Sequence, residues 1–109
     1  MATSPGGTDR IAQLEKLLTL DPLDAFVLYG LAQEHAKQGN SAKSIDFYDK
    51  CIAADSTYCY AYYHKARVQQ DADDITGAIN TVKAGIAVAK KVQDMKASSE
   101  LAALLDMLE

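Results

Sequence analysis

Apolar residues recur along the chain with the spacing of helices, and this pattern itself repeats. Between residues 10 and 20 they fall at i, i+3, i+6 and i+7, which is one stripe of a helix. The stripe consists of Ile11, Leu14, Leu17 and Leu18. Isoleucines at positions 11, 45 and 79 are equally spaced. A constant interval of this length indicates a helix–turn–helix unit that buries its apolar face only by stacking on neighbouring units.

Turn residues divide the chain into six predicted helices. Asp21-Pro22 ends the first, because the residue before proline disfavours the helical region. Gly39-Asn40 ends the second, because both residues tolerate positive φ. Asp73-Asp74 separates the fourth helix from the fifth. The expected N-caps of the second, third and fifth helices are Asp24, Ser41 and Asp74.

The two ends of the chain are predicted from weaker signals. Residues 1–9 have a Ser, Thr, Pro and Gly composition that predicts a disordered tail, followed by a leading helix over 10–20. Gly85 is expected where another helix comes close. No glycine or proline follows it, so the last break is placed near residues 91–94. A capping helix over 94–108 then follows, with leucines at helical spacing.

Two consecutive segments, 25–58 and 59–92, resemble tandem tetratricopeptide repeats. The matching residues of the first are Leu28, Leu31, Ala32, Gly39, Tyr48 and Asp55. Those of the second are Tyr62, Ala66, Ala78, Val82 and Ile86. His35 and Gln69 depart from the tyrosine usual in the family. The resemblance implies an all-α fold of antiparallel helix–turn–helix repeats, stacked as a short right-handed α-solenoid with a C-terminal capping helix.

The resemblance also implies a binding surface, because the first helices of successive repeats line the concave wall in this family. Carried over to this chain, the wall residues are Phe26, Tyr29, Gln33, Lys37, Tyr60, Tyr63, Arg67 and Gln70. Tyrosine and arginine are enriched at binding hot spots. In the alternative interpretation, the tyrosines only pack over neighbouring helix turns. A clamp for C-terminal carboxylates, known in part of the family, is absent, because Tyr29, Gln33 and His64 occupy its positions.

Composition and charge exclude several other functions. The 109 residues carry a net charge of −4, which argues against nucleic acid and against anionic membrane surfaces as partners. Cys51 and Cys59 without a secretory signal indicate free thiols in the cytoplasm. No spacing indicates a metal site or a cofactor, and no catalytic motif is present, so we do not expect an enzyme.

The sequence therefore predicts a scaffold that binds a peptide or helix of another protein on its concave face. The alternative is a structural protein that associates with itself through its terminal helices, most commonly as a homodimer. The sequence leaves open who the partner is and whether these residues form part of a longer repeat array.

Overall fold

The computed structural model describes residues 7–109, and in that range it contains helices and no strand. The helices are α1 (Gly7–Leu20), α2 (Ala25–Lys37), α3 (Ser41–Ala54), α4 (Cys59–Asp71), α5 (Ile75–Lys91) and α6 (Met95–Leu108). The all-α prediction is confirmed. The sequence predicted a disordered tail over residues 1–9, but α1 already begins at Gly7, so the predicted boundary was wrong. Residues 1–6 of that tail lie outside the described part of the chain.

Short polar side chains cap most of the helices. The Asp24 carboxylate accepts hydrogen bonds from two backbone amides of α2, and Asp74 and Asp94 each accept one at the start of α5 and α6. At α3 the cap is Asn40, which accepts from the Lys43 amide. The prediction of Ser41 as that cap was wrong by one residue, because Ser41 is already helical.

Each helix packs against the next, and the even-numbered helices also contact one another. α2 contacts α4 and α4 contacts α6, whereas α1, α3 and α5 make no such contacts among themselves within residues 7–109. The row α2–α4–α6 is therefore the closely spaced, concave side of a curved stack. None of the helices in residues 7–109 has the length and apolarity to cross a membrane.

The two helices of each repeat touch at an equivalent place, but the interaction there differs between the repeats. In the first repeat the His35 ring stacks on Phe47, with ring centroids 5.4 Å apart. At the equivalent place in the second repeat, the Thr81 hydroxyl donates to Gln69 Oε1 at 2.7 Å. The residues that replace the family's tyrosine thus keep the two helices of each repeat in contact. The substitution changes the kind of interaction and leaves the packing in place.

Gly85 lies where α5 crosses both of its neighbours. A Cβ atom at this position would lie 2.7 Å from Tyr62 Cβ in α4 and 3.2 Å from Leu101 Cδ1 in α6. Tyr62 Cβ is fixed to the backbone, so relief of this clash requires a shift of the helix itself. The expected close approach at Gly85 is confirmed. At Gly77 a Cβ atom would meet the carboxylate of the capping residue Asp74.

We predict that Gly85→Ala destabilises the fold. Alanine gains about 1 kcal/mol over glycine in a helix, but overpacking costs about 1–3 kcal/mol. We expect a net loss of roughly 1 kcal/mol, measured by urea unfolding followed by circular dichroism. Gly30→Ala is the matched control, because its Cβ would lie 3.4 Å from a Leu14 methyl, an ordinary contact. Greater stability of Gly85→Ala than of the wild type would contradict the close approach.

Candidate functional site

The concave side carries two hollows, one on each side of α4. The first hollow, of about 300 Å³, lies between α2 and α4 and is lined by Gln33, Ala36, Lys37, Tyr48, His64, Arg67, Val68 and Asp71. The second hollow, of about 360 Å³, lies between α4 and α6 and is lined by Tyr60, Tyr63, His64, Glu100, Ala103, Leu104 and Met107. His64 lines both, so the two hollows are adjacent and form one continuous wall.

Two equivalent hydrogen bonds order this wall along α2 and α4. Gln33 Nε2 donates to the Tyr29 hydroxyl at 3.4 Å, and Arg67 Nη1 donates to the Tyr63 hydroxyl at 3.4 Å. Each pair has the i, i+4 spacing of neighbours on one helix face, and the two pairs occupy equivalent positions of the two repeats. The two helices therefore present the same arrangement, but α4 presents a positive charge where α2 presents a neutral amide.

Tyr29 belongs to the core of the domain as well as to the wall. Its ring stacks on Tyr58 with centroids 4.9 Å apart and meets Tyr48 edge to face at 5.9 Å. Burial raises the pKa of Tyr29 to about 12, with smaller contributions from Tyr58 and Cys51. Tyr29 therefore packs against neighbouring helices, as the alternative interpretation of the tyrosines expected, and it also contributes to the wall. A substitution of Tyr29 would therefore affect stability as well as the wall.

The second hollow is both aromatic and acidic, because its lining includes Tyr60, Tyr63 and Glu100. The two tyrosine rings meet edge to face, with centroids 6.4 Å apart. A hydrogen bond to the Glu100 carboxylate raises the pKa of Tyr60 to about 12, and burial and the carboxylate charge add to the effect. The hollow thus joins aromatic surface to a carboxylate.

His64 lies between the charged groups of the two hollows. Its ring meets Tyr63 at 5.2 Å and Tyr29 at 5.8 Å, in both cases edge to face. Burial lowers the pKa of His64, the Arg67 guanidinium lowers it further, and the Glu100 carboxylate opposes both. The imidazole is therefore neutral at pH 7. The pKa of His64 therefore depends on the charges of both Arg67 and Glu100.

The predicted wall residues are distributed unevenly over this surface. Gln33, Lys37 and Arg67 line the first hollow, Tyr60 and Tyr63 line the second, and Tyr29 touches His64 between them. Phe26 and Gln70 line neither hollow. Phe26 is in the first turn of α2 and strongly exposed.

His64 and Glu100 are among the lining residues of the two hollows that the sequence did not predict as wall residues. His64 was considered only as a departure from the family's clamp. Glu100 lies on the capping helix, whose register could not be aligned with the repeats. The spacing from Glu100 to Met107 was a signal, because Ala103, Leu104 and Met107 follow Glu100 at i+3, i+4 and i+7, on the same helix face.

Both cysteines are buried and free. Burial raises the pKa of the Cys51 thiol to about 11, and the Asp55 carboxylate contributes to the shift. The thiolate is the reactive form of cysteine, so Cys51 acts as a small apolar residue. Over residues 7–109, no three His, Cys, Asp or Glu side chains are grouped so that they could hold a metal ion.

Comparison with known proteins gives consistent similarities. A tetratricopeptide repeat domain protein from Salinibacter ruber, solved by NMR, is 34% identical to this chain, with a TM-score of 0.76; the match covers 82% of this chain and 90% of that one. A TPR repeat-containing protein of Pseudomonas aeruginosa is 25% identical over 99 residues, which are 91% of this chain and 94% of that protein. No family model matches the chain.

A more distant likeness concerns a complex. The crystal structure of PcrH with the chaperone binding region of PopD has a TM-score of 0.85 at 20% identity, and the match covers 93% of this chain and 77% of that chain. At this level of identity the likeness shows the fold alone. Together with the Salinibacter structure, it confirms the predicted solenoid of antiparallel helix–turn–helix repeats.

The position of His64 predicts how its titration responds to its neighbours. Arg67→Gln removes a positive charge and should raise the pKa of His64, whereas Glu100→Gln removes a negative charge and should lower it. We expect both shifts in an NMR pH titration of the imidazole resonances. His35, which stacks on Phe47, is the internal reference, and His35→Gln assigns the two signals. Shifts of the same sign in both variants would show that His64 does not lie between these charges.

Proposed function

Because the chain belongs to the tetratricopeptide repeat family, we propose that it binds a segment of a partner protein along the concave wall of α2, α4 and α6. The observation that carries the proposal is the continuity of the two hollows, which share His64 and together span three helices. A single extended or helical segment fits such a surface, because successive side chains enter successive depressions.

The side chains of the wall support binding by their chemistry. Arg67 donates only a long hydrogen bond to Tyr63, and within residues 7–109 no carboxylate oxygen lies within 4 Å of it. Tyrosine and arginine provide large contact areas together with polar groups, as at hot spots of other interfaces. That PcrH has been solved with a region of PopD supports the same use of this fold.

We place the protein among binding modules rather than enzymes, because proteins with this fold are generally interaction modules. Its cytoplasmic location is part of the proposal, since two buried free thiols fit a reducing compartment. The net charge of −4 favours a protein partner over nucleic acid or an anionic membrane.

We predict that the double variant Tyr63→Ala/Arg67→Ala loses the partner and keeps the fold. Truncation of a single hot-spot residue costs about 2 kcal/mol or more, which is about 30-fold in affinity, so the double variant should bind the partner at least about 30-fold more weakly. The measurement is retention of proteins from source-cell lysate on the immobilised chains, identified by mass spectrometry, with circular dichroism as the check of folding. Lys43→Ala is the control, because it removes one exposed cation from α3, which does not belong to the concave row α2–α4–α6. Equal retention by all three chains would refute the concave wall as the binding site.

A second candidate function, self-association, is favoured by an uncovered apolar surface at the α1 end. Leu17, Leu20, Leu23 and Phe26 are 50%, 82%, 74% and 70% exposed. They surround the turn between α1 and α2, next to an apolar hollow of about 540 Å³ at the end of α3. A neighbouring helix would cover such a surface within a repeat array, and another copy of this chain could do so here.

The self-association candidate predicts that Leu20→Glu reduces any oligomer to a monomer. A charge buried in an apolar interface without a partner is strongly unfavourable. Sedimentation velocity over a hundredfold concentration range should show a mass that rises with concentration for the wild type and a constant mass for the variant. Thr19→Glu is the matched control, because it adds the same charge beside Leu20 and removes no large apolar side chain. A wild-type chain that stays monomeric at every concentration would exclude this candidate.

A further inference from the structure

The second hollow combines two aromatic rings with a carboxylate that has no cationic partner. Tyr60 and Tyr63 meet at an interplanar angle of 64°, and Glu100 lines the same hollow. Within residues 7–109, no lysine or arginine nitrogen lies within 4 Å of the Glu100 carboxylate. Aromatic faces attract organic cations through the ring quadrupole, and a nearby carboxylate adds charge complementarity.

We propose that the second hollow receives a basic side chain, lysine or arginine, of the partner segment. The inference rests on the proposed binding along the concave wall and specifies the chemistry of its partner. Such a segment places its cation beside the rings of Tyr60 and Tyr63 and against the carboxylate of Glu100. The rest of the segment continues along α4 into the first hollow.

The carboxylate of Glu100 keeps capacity for a ligand. An ionised carboxylate offers about four acceptor positions, and the neighbouring Tyr60 hydroxyl, which has one proton to donate, can fill no more than one of them. The lining of the hollow continues with Leu104 and Met107, which are apolar. Lysine and arginine have long aliphatic stems that pack on apolar surface while the charged end reaches a polar group. The hollow matches both parts of such a side chain.

The distribution of charge favours the second hollow over the first for a cation. The first hollow is lined by Arg67, which repels a cation, and by Lys37, which is paired with Glu34 at 3.3 Å; Asp71 is the acidic residue of this lining. His64 lines both hollows and is neutral at pH 7, because burial lowers its pKa. It therefore adds no repulsion to a cation in the second hollow. The opposite preferences of the two hollows give the bound segment a direction.

Three blocked tripeptides test the hollow directly. They carry a central arginine, citrulline or norleucine between glycines, so that citrulline keeps the shape of arginine without its charge. We expect the arginine peptide to shift the amide signals of Tyr60, Tyr63 and Glu100 in ¹⁵N NMR spectra, with about 2- to 30-fold tighter binding than citrulline. Equal binding of arginine and citrulline, or shifts confined to other helices, would overturn the inference, as would no shift at the solubility limit.

Variants on α6 separate a specific site from general attraction to an acidic protein. Glu100→Gln should abolish the preference for arginine over citrulline. Asp106→Asn, which removes an exposed charge from the same helix outside the hollow, should keep it. A loss of preference in both variants would mean unspecific attraction and would overturn the inference.

Selection from a random peptide library separates this inference from the proposed function. Clones bound by the wild type and lost by Tyr63→Ala/Arg67→Ala should share a lysine or arginine and bind Glu100→Gln at least about tenfold more weakly. Wall-dependent clones without a basic residue would overturn the inference and leave the proposed function intact. If no clone depended on the wall, both would fail together.

Discussion

The structure depends on close contact between the two helices of each repeat, which requires small residues at two positions. Ala32 and Ser44 provide them in the first repeat, and Ala66 and Ala78 provide them at the equivalent positions of the second; all four are fully buried. The Ser44 hydroxyl donates to the Ala32 carbonyl oxygen at 2.8 Å, so a side chain of α3 reaches the backbone of α2. With the helices this close, larger side chains such as Tyr48 and Val82 fill the space on either side. Larger residues at the four positions would separate the helices and remove the geometry of the stack.

The wall follows from this packing. Because each pair is closed by small residues at this contact, the adjoining faces of α2 and α4 are left to line the concave surface. Positions separated by one repeat face the same surface. Tyr29 and Tyr63 are such a pair, and so are Gln33 and Arg67, which is why the two helices make equivalent hydrogen bonds. The repeat fixes the positions, and individual substitutions fix the charge. At the position equivalent to Gln33 in α2, α4 carries Arg67 and therefore a positive charge. Glu100 places a negative charge on α6. A scaffold with nearly regular helices thus carries a wall with two different hollows.

The fold could be predicted from the sequence much further than the site. The equal spacing of the isoleucines at 11, 45 and 79 and the turns at Pro22 and Gly39 are local signals that long-range contacts do not alter. The turn after α5 has no such signal: Gln93 adopts a positive φ of 62° without being glycine. This turn sets the register of α6, so Glu100 could not be assigned to the wall beforehand. Nor could His64 be recognised, because its role depends on burial between two helices and on charges that are remote in sequence.

Phe26 shows why repeat position alone does not place a residue in a hollow. It occupies a wall position by analogy, yet it lies in the first turn of α2, and within residues 7–109 no inner helix precedes α2 to form the other side of a hollow. Its exposed ring lies close in sequence to Leu20 and Leu23, which are also exposed, at the uncovered end of the stack. The hollows, by contrast, require two neighbouring inner helices each, and α4 is the helix that has both. The apolar end and the concave wall are therefore separate surfaces, and occupation of one leaves the other available. If both candidate functions hold, self-association at the α1 end would present several walls in one assembly and raise the avidity for a partner with repeated basic segments.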